Sequence, residues 1–465
     1  MGWKTILKSL KNKDMQKRIA IVLLLIVIFR MLSHIPVPLA EPTQLKQLIN
    51  NIFSSQQLLG FFDLLSGGAL SSLSIMLMGL GPYINASIIM QLLTKAFPKL
   101  EELQQDGESG RRKINQWTRM IAVPLAIVQS VGLILLIRQQ AGGQLGIDIT
   151  ANTTPFQWVL MVATLTGGSM LLMWLGELIT EQGIGNGISL LIFAGIVSQL
   201  PGTATTLVNT VAADQANFNV FGWFTLPISG KGAAISGAII LATIIVTFLV
   251  VKLNEAQRII RVSYAKRVQG NRAYGGVGTI LPVKLITAGV IPIIFAVAFL
   301  SVPQFVGQLI SSNSTPWIAE LGKNLTIWFA QPGQQQNLSS NPINTYVYPL
   351  VYFTLIFVFT YFYTSIVFNA KEIAENLSKQ GGFIENIRPG DQTQAYLSKI
   401  VSHLNLFGAA SLGLLALLPL FVERILGTTS LTIGGTGLLI VVSVALETLR
   451  QFESRALMVT YDQDY

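Results

Sequence analysis

Few side chains in this 465-residue sequence have the types and spacing to do chemistry. It has no cysteine, which removes disulfides, thiolate metal sites and cysteine nucleophiles together. The two histidines, His34 and His403, each stand alone near the end of an apolar run, and no H-E-x-x-H occurs, so no metal site is written here. Glu177 and Glu181 fall at one apolar run's end and Glu447 near another, so no buried carboxylate pair for acid–base work or ion coupling is spelled out. The glycine-rich TEQGIGNGIS, 180–189, invites a nucleotide reading. Its Gly183-Ile184-Gly185-Asn186-Gly187 nevertheless lacks the dinucleotide spacing and follows no strand, so a tight turn is expected instead. With no Walker A sequence either, ATP-driven work must come from another protein. No enzyme activity, cofactor or metal is expected.

What must position any function is membrane-spanning helix. Hydrophobic residues make up 51% of the chain and charged residues 11%, against about 25% charged in soluble domains. Apolar runs of the roughly 20 residues that cross about 30 Å of hydrocarbon recur along the whole length. They cover 19–38, 75–93, 114–137, 155–177, 184–200, 232–251, 283–303, 343–368, 396–420 and 430–449, which predicts an all-α polytopic protein of ten spans. The first run follows a basic stretch but has no small-x-small cleavage site, so it reads as a retained span. Lysine and arginine gather in 1–18, 94–119, 252–284, 369–399 and the tail. The opposite side has only Lys46, Arg138, Lys231, Lys323 and Arg424, so both termini are expected in the cytoplasm.

Arg30 lies inside the first run, where a charge at mid-bilayer costs about 2.5–3.5 kcal/mol on insertion scales. Pro36 follows six residues later, so the guanidinium is expected to snorkel to the outer headgroups.

Two runs are broken alike. The second carries Gly79, Gly81 and Pro82, and the seventh carries Gly289 and Pro292. Such breaks survive only where protein or a water-filled cavity surrounds them. Cutting ten spans into two sets of five puts these two in matching positions, which points to a pathway between inverted repeats. Just before the second run, Phe62 to Leu70 is too short to cross, and Ser66-Gly67-Gly68 faces lipid poorly. Glycine lets this segment bend and serine bonds its backbone locally, so a re-entrant, movable plug over about 61–74 is expected.

Two cytoplasmic loops are longer than connectors need to be. Within 252–284, β-branched and aromatic residues flank QGNRAYGG as a hairpin. Its tip residues Arg272 and Tyr274 suit nucleic-acid phosphate or an acidic protein surface, although the basic charge also serves simply to fix topology. Within 369–399 a polar helical stretch precedes Arg388-Pro389-Gly390, a rigid turn that presents its arginine.

Eight ordered stretches now carry a resemblance: HIPVP at 34–38, SGGALS at 66–71, GPYINASIIMQLL at 81–93, GESGRRKINQ at 107–116, GIGNGISLLIFAGIV at 183–197, YAKR at 264–267, AGVIPIIFA at 288–296 and IRPGDQT at 387–393. Along nearly its whole length the chain resembles the SecY family, the central subunits of the bacterial protein-translocation channel. The resemblance implies two inverted five-helix halves, 1–200 and 232–465, joined by an external hinge loop, 201–231, around an hourglass pore. It places an apolar pore ring at Leu80, Ile84, Ile188, Ile192, Ile294 and Ile440. The plug would comprise Phe62, Asp63, Leu64, Leu65, Ser66, Gly67, Gly68, Ala69 and Leu70. A lateral gate between spans 2 and 7 would use Pro82, Asn85, Gln91, Thr287 and Pro292.

The family also implies that the two basic loops dock the ribosome and the SecA motor through Lys266, Arg267, Arg272, Tyr274 and Arg388. SecE and SecG are the implied channel partners, secretory and membrane preproteins the substrates, membrane lipid the destination of released segments, and the bacterial plasma membrane the location. Leu80 stands where isoleucine is frequent in the family, which preserves an apolar seal. Asn271 precedes Arg272 where many relatives carry an arginine pair, so one ribosome or motor contact differs. A secondary transporter would need midplane ionisable residues, and an intramembrane enzyme a nucleophile with a base, paired aspartates or a metal motif; neither pattern is present. The two long basic loops favour the general form of the family over a specialised accessory one.

Overall fold

A computed structural model describes residues 12–37, 66–69, 73–145, 154–212, 218–220, 224–226, 230–264, 267–269, 272–274, 278–311, 315–330, 344–426 and 432–461. Helix dominates. The first half holds α1 (Lys13–Leu32), α2 (Gly81–Ala96), α3 (Pro98–Gln105), α4 (Glu108–Leu145), α5 (Pro155–Glu181) and α6 (Gly187–Ala212). A short antiparallel pair, β1 (Phe218–Val220) and β2 (Phe224–Leu226), leads to the second half. That half holds α7 (Gly230–Glu255), strands β3 (Gln257–Tyr264), β4 (Arg267–Gln269), β5 (Arg272–Tyr274) and β6 (Gly278–Lys284), then α8 (Ile291–Ile310) and α9 (Pro316–Phe329). After these come α10 (Asn344–Val367), α11 (Ala370–Lys379), β7 (Gly382–Ile384), α12 (Asp391–Leu426) and α13 (Thr432–Tyr461).

Among the described residues, 7 helices are long and apolar enough to cross a membrane. The three other expected spans fall on α1, α2 and α13. Charge thins the first, since α1 includes Lys13, Asp14, Lys17, Arg18 and Arg30, and α2 has only 16 residues. The fifth span runs further than its hydropathy suggests: α6 continues past Pro201 to Ala212, so its last turns and the β1–β2 pair occupy much of the expected hinge segment.

Spans 2 and 7 differ from expectation in the same way. Helix was expected from 75 and 283 but starts at Gly81 and Ile291. Gly79 (φ +56°) and Gly289 (φ +61°) take left-handed conformations that a helix cannot include, and Pro82 and Pro292 favour a helix start immediately afterwards. Hydropathy stays high through 75–80, so composition alone hides the late start.

One apolar cluster runs through the membrane part, drawing on α1, α2, α5, α6, α7, α8, α10, α12 and α13. Along one seam α8 lies against α2 and α4; along another α6 lies against α7 and α13. An amphipathic helix absent from the sequence reading, α9, packs on α8 through Gly307 and Gly322, where an added Cβ on either residue would come within 2.8 Å of the other's carbonyl oxygen.

Candidate functional site: a seam, a waist and a plug

Both halves approach the seam by the same construction. Seven residues before Pro82, the Ile75 carbonyl lies on Gly168 of α5 so closely that no Cβ would fit. Seven residues before Pro292, the Leu285 carbonyl lies on Gly408 of α12, where a Cβ would come within 2.5 Å. Backbone pairing precedes each: Ile75 N–H donates to Ile35 O at 3.0 Å, and Leu285 N–H to Ala256 O at 2.9 Å. In the first half Pro36 bridges Ser74; in the second, β3 pairs antiparallel with β6. The segments that follow α1 and α7 are thus closed alike, each feeding a late-starting helix. Ser169 Oγ adds a bond to the Gly79 carbonyl at 3.1 Å, satisfying a backbone group freed by the break.

The six expected ring residues share the central apolar cluster. Leu80, Ile84, Ile192, Ile294 and Ile440 are between 1% and 6% exposed, and Ile188 packs against them half-buried. Leu80 caps α2 and Ile84 lies one turn on; Ile188 and Ile192 are likewise one turn apart at the start of α6, so each pair shares a helix face. Caps hold the start of α6 in place. Asn186 Oδ1 accepts from the N–H groups of Ile188 (3.1 Å) and Ser189 (3.3 Å), and Thr180 Oγ1 accepts from Gly187 N–H at 2.9 Å. The glycine-rich segment is the tight turn expected of it, its Gln182 carbonyl accepting from Arg18 of α1 at 3.1 Å.

Of the expected gate residues, Pro82 and Pro292 are buried in the first turns of α2 and α8, while Asn85, Gln91 and Thr287 are half-buried. Gln91 donates to Ser87 Oγ at 3.1 Å, and its buried carbonyl oxygen has no hydrogen-bond partner. Gln129 on α4 has the same unpaired carbonyl oxygen. Three residues on, Gly132 receives the ring of Phe305 from α8. Lower on the same helix, Arg119 Nε meets Glu177 Oε1 of α5 at 2.7 Å.

Of the expected plug, Ser66 to Ala69 are described; Phe62, Asp63, Leu64, Leu65 and Leu70 lie outside the described residues. Ser66 and Ala69 are fully buried. Arg30 differs from its expectation: rather than reaching only for headgroups, its Nη1 donates to the Gly67 carbonyl. The physical reason is that a carbonyl in a left-handed turn (φ +70°) has no helical donor and needs one in an apolar setting.

Between the two long basic loops β7 pairs with β3, giving a sheet of order β6-β3-β7 that joins them. Ile260, Val262, Val283, Ile384 and Leu397 form its small core. The sequence reading missed this junction, because a three-residue strand has no periodicity to detect. Arg267, Arg272 and Tyr274 lie on the β4–β5 hairpin, in register Arg267↔Tyr274 and Gln269↔Arg272; Lys266 lies outside the described residues. Arg388 is exposed, and Thr393 Oγ1 donates to its carbonyl at 2.9 Å, bracing the Pro389-Gly390 turn. At the sheet's membrane end, partial burial pulls the Lys284 ammonium below its usual range; nearby Arg450 lowers it further and Glu447 opposes both.

Comparison with known proteins gives one consistent answer. The SecY family model matches residues 74–449. Protein translocase subunit SecY of Mycobacterium bovis is 38% identical over 98% of this chain and 98% of its own length, and that of Streptomyces galbus matches equally. Among solved structures, a protein-conducting channel shares the fold with TM-score 0.62 at 20% identity, over 93% of this chain and 90% of its own. A SecY whose plug domain stabilises the closed state of its translocation channel and maintains a membrane seal matches to the same degree. Sec61 in the canine ribosome–channel complex has TM-score 0.58 at 19% identity, over 93% and 90%.

Proposed function

Because this chain belongs to the SecY family, we propose that it forms the protein-conducting channel of a bacterial Sec translocon. Unfolded secretory proteins thread it across the plasma membrane, and membrane segments leave sideways into lipid between α2 and α8. The observation that carries this reading is the matched construction of α2 and α8. Two helices that start late, on equivalent glycines and prolines, meet along one seam and bring Leu80, Ile84 and Ile294 into one apolar cluster.

An apolar waist of Leu80, Ile84, Ile188, Ile192, Ile294 and Ile440 blocks ions by dewetting, and its side chains part without breaking hydrogen bonds. The unpaired Gln91 and Gln129 carbonyls are polar groups that opening, or a passing peptide, would satisfy. The halves 1–200 and 232–465 hinge about the α6–α7 side, opposite the gate. Neither half catalyses anything; translation, the SecA motor or the proton-motive force supplies energy. SecE and SecG complete the channel, and SecA and the ribosome dock on the joined cytoplasmic loops through Lys266, Arg267, Arg272, Tyr274 and Arg388. Both termini lie in the cytoplasm.

Because the chain has no cysteine, a single one placed at Ile192 is a clean reporter. A stalled secretory precursor should crosslink to it in membranes containing SecE and SecA. A precursor that reaches the far side without ever crosslinking there sinks the waist assignment.

A further inference from the structure

We propose that Arg30 is the clasp that keeps the plug seated, an inference resting on the reading of Ser66–Ala69 as part of a plug. Its guanidinium projects from the last turn of α1 and donates to the carbonyl of Gly67, 37 positions away. That last turn is itself braced: the Arg30 carbonyl accepts from Ser33 Oγ at 2.8 Å and lies 2.8 Å from His34 Nδ1. Beside it, Phe29 presses its ring on the same glycine. A Cβ on Gly67 would come within 2.7 Å of Phe29 Cζ and 3.2 Å of the Gly195 backbone of α6. Consecutive residues of α1 therefore grip one turn of the plug, one through its Cα and the other through its carbonyl. The segment's exit is held as well: Ser74 N–H closes a turn onto Ala69 O at 2.8 Å, and Ser74 Oγ donates to Leu32 O of α1 at 2.9 Å.

Arg30 and Gly67 belong to parts that must separate if the plug moves, whereas the bond from Ser74 Oγ to Leu32 O lies nearer the base of α2. Loss of the guanidinium would leave the Gly67 carbonyl short of a charged donor in the closed state alone. A bond made in one state only shifts the balance between states, and a weaker opening ligand then suffices. Arg30 is thus a positioning residue whose removal should produce a gain of function, which misfolding does not.

The experiment uses the full channel complex in vesicles, reading anion leak at rest and export of a precursor with a weakened signal sequence. Arg30→Gln should raise the leak roughly tenfold and export the weakened precursor, while export of the normal precursor is unchanged. Arg30→Lys, which keeps the charge but not the fork, should fall between Arg30→Gln and the parent. A chain lacking residues 62–70 serves as reference. Should that deletion leak no more than the parent, the plug reading itself fails. Should it leak while Arg30→Gln stays tight, or exports the weakened precursor no better than the parent, the clasp fails and the plug stands. If Arg30→Gln does not accumulate, Arg30→Met, which keeps the length of the side chain without a donor, decides: parental tightness together with parental rejection of the weakened precursor overturns the clasp.

Discussion

Phe305 of α8 reaches Gly132 of α4 so closely that a Cβ at position 132 would come within 2.4 Å of its Cζ. The contact joins the two halves at the proposed gate. Gly132→Val must push the ring aside, and overpacking of this kind costs about 1–3 kcal/mol. Since a phenyl ring can rotate away, the cost should fall mainly on the closed seam. A lowered unfolding temperature together with easier export of a weakened signal sequence is expected. Parental values for both would mean that this contact does not hold the seam.

Gly168 and Gly408 make a harsher case, because each faces a backbone carbonyl, Ile75 O and Leu285 O, that cannot swing away. Gly168→Ala and Gly408→Ala should each destabilise more than Gly132→Ala does. The loss should be larger at Gly168, where the added Cβ would meet the carbonyl oxygen at 1.9 Å, than at Gly408, where it would meet it at 2.5 Å. Unfolding of the three variants, measured side by side in detergent, would expose any other order.

These glycines show where sequence reading reaches and where it stops. Gly79-x-x-Pro82 and Gly289-x-x-Pro292 were legible as paired breaks, because glycine and proline act on their own backbone. Gly168 and Gly408 were not, since what makes them necessary is a carbonyl arriving from another segment. The same holds for Arg30, whose acceptor is 37 positions away, and for β7, which is strand only because β3 is beside it. By contrast α9 was missed although a signal existed: Pro316 opens it, and Trp317, Leu321 and Trp328 recur at helical spacing and are all exposed. Apolar residues of the waist gave no local signal at all. Only resemblance to a family singled out six aliphatic residues among many.

The two joined basic loops allow the proposed docking role and scaffolding to be separated. Ile384 is 4% exposed in the small core beside Val262. Ile384→Asp would bury an unpaired carboxylate and should open both loops to protease while the membrane helices stay folded. Arg388 is exposed on its braced turn, so Arg388→Glu should leave protease resistance intact and weaken motor or ribosome binding at least tenfold. Equal binding by Arg388→Glu and the parent would remove this arginine from the docking surface.

Asn186 tests whether the waist depends on how its helix begins. Its Oδ1 accepts from two N–H groups at the start of α6, and the half-buried Ile188 and the buried Ile192 follow within two turns. Asn186→Ala removes that cap at a cost of about 1 kcal/mol, a small loss for the whole fold. Its effect on the seal should be larger than its effect on stability, because fraying the first turn displaces Ile188, whereas Ile192 stays held by the turn beyond. Asn186→Asp retains both acceptor bonds and should restore a parental leak. An Ala variant that leaks no more than the parent would show that the start of α6 is held by packing against α5, α7 and α13, independently of the cap.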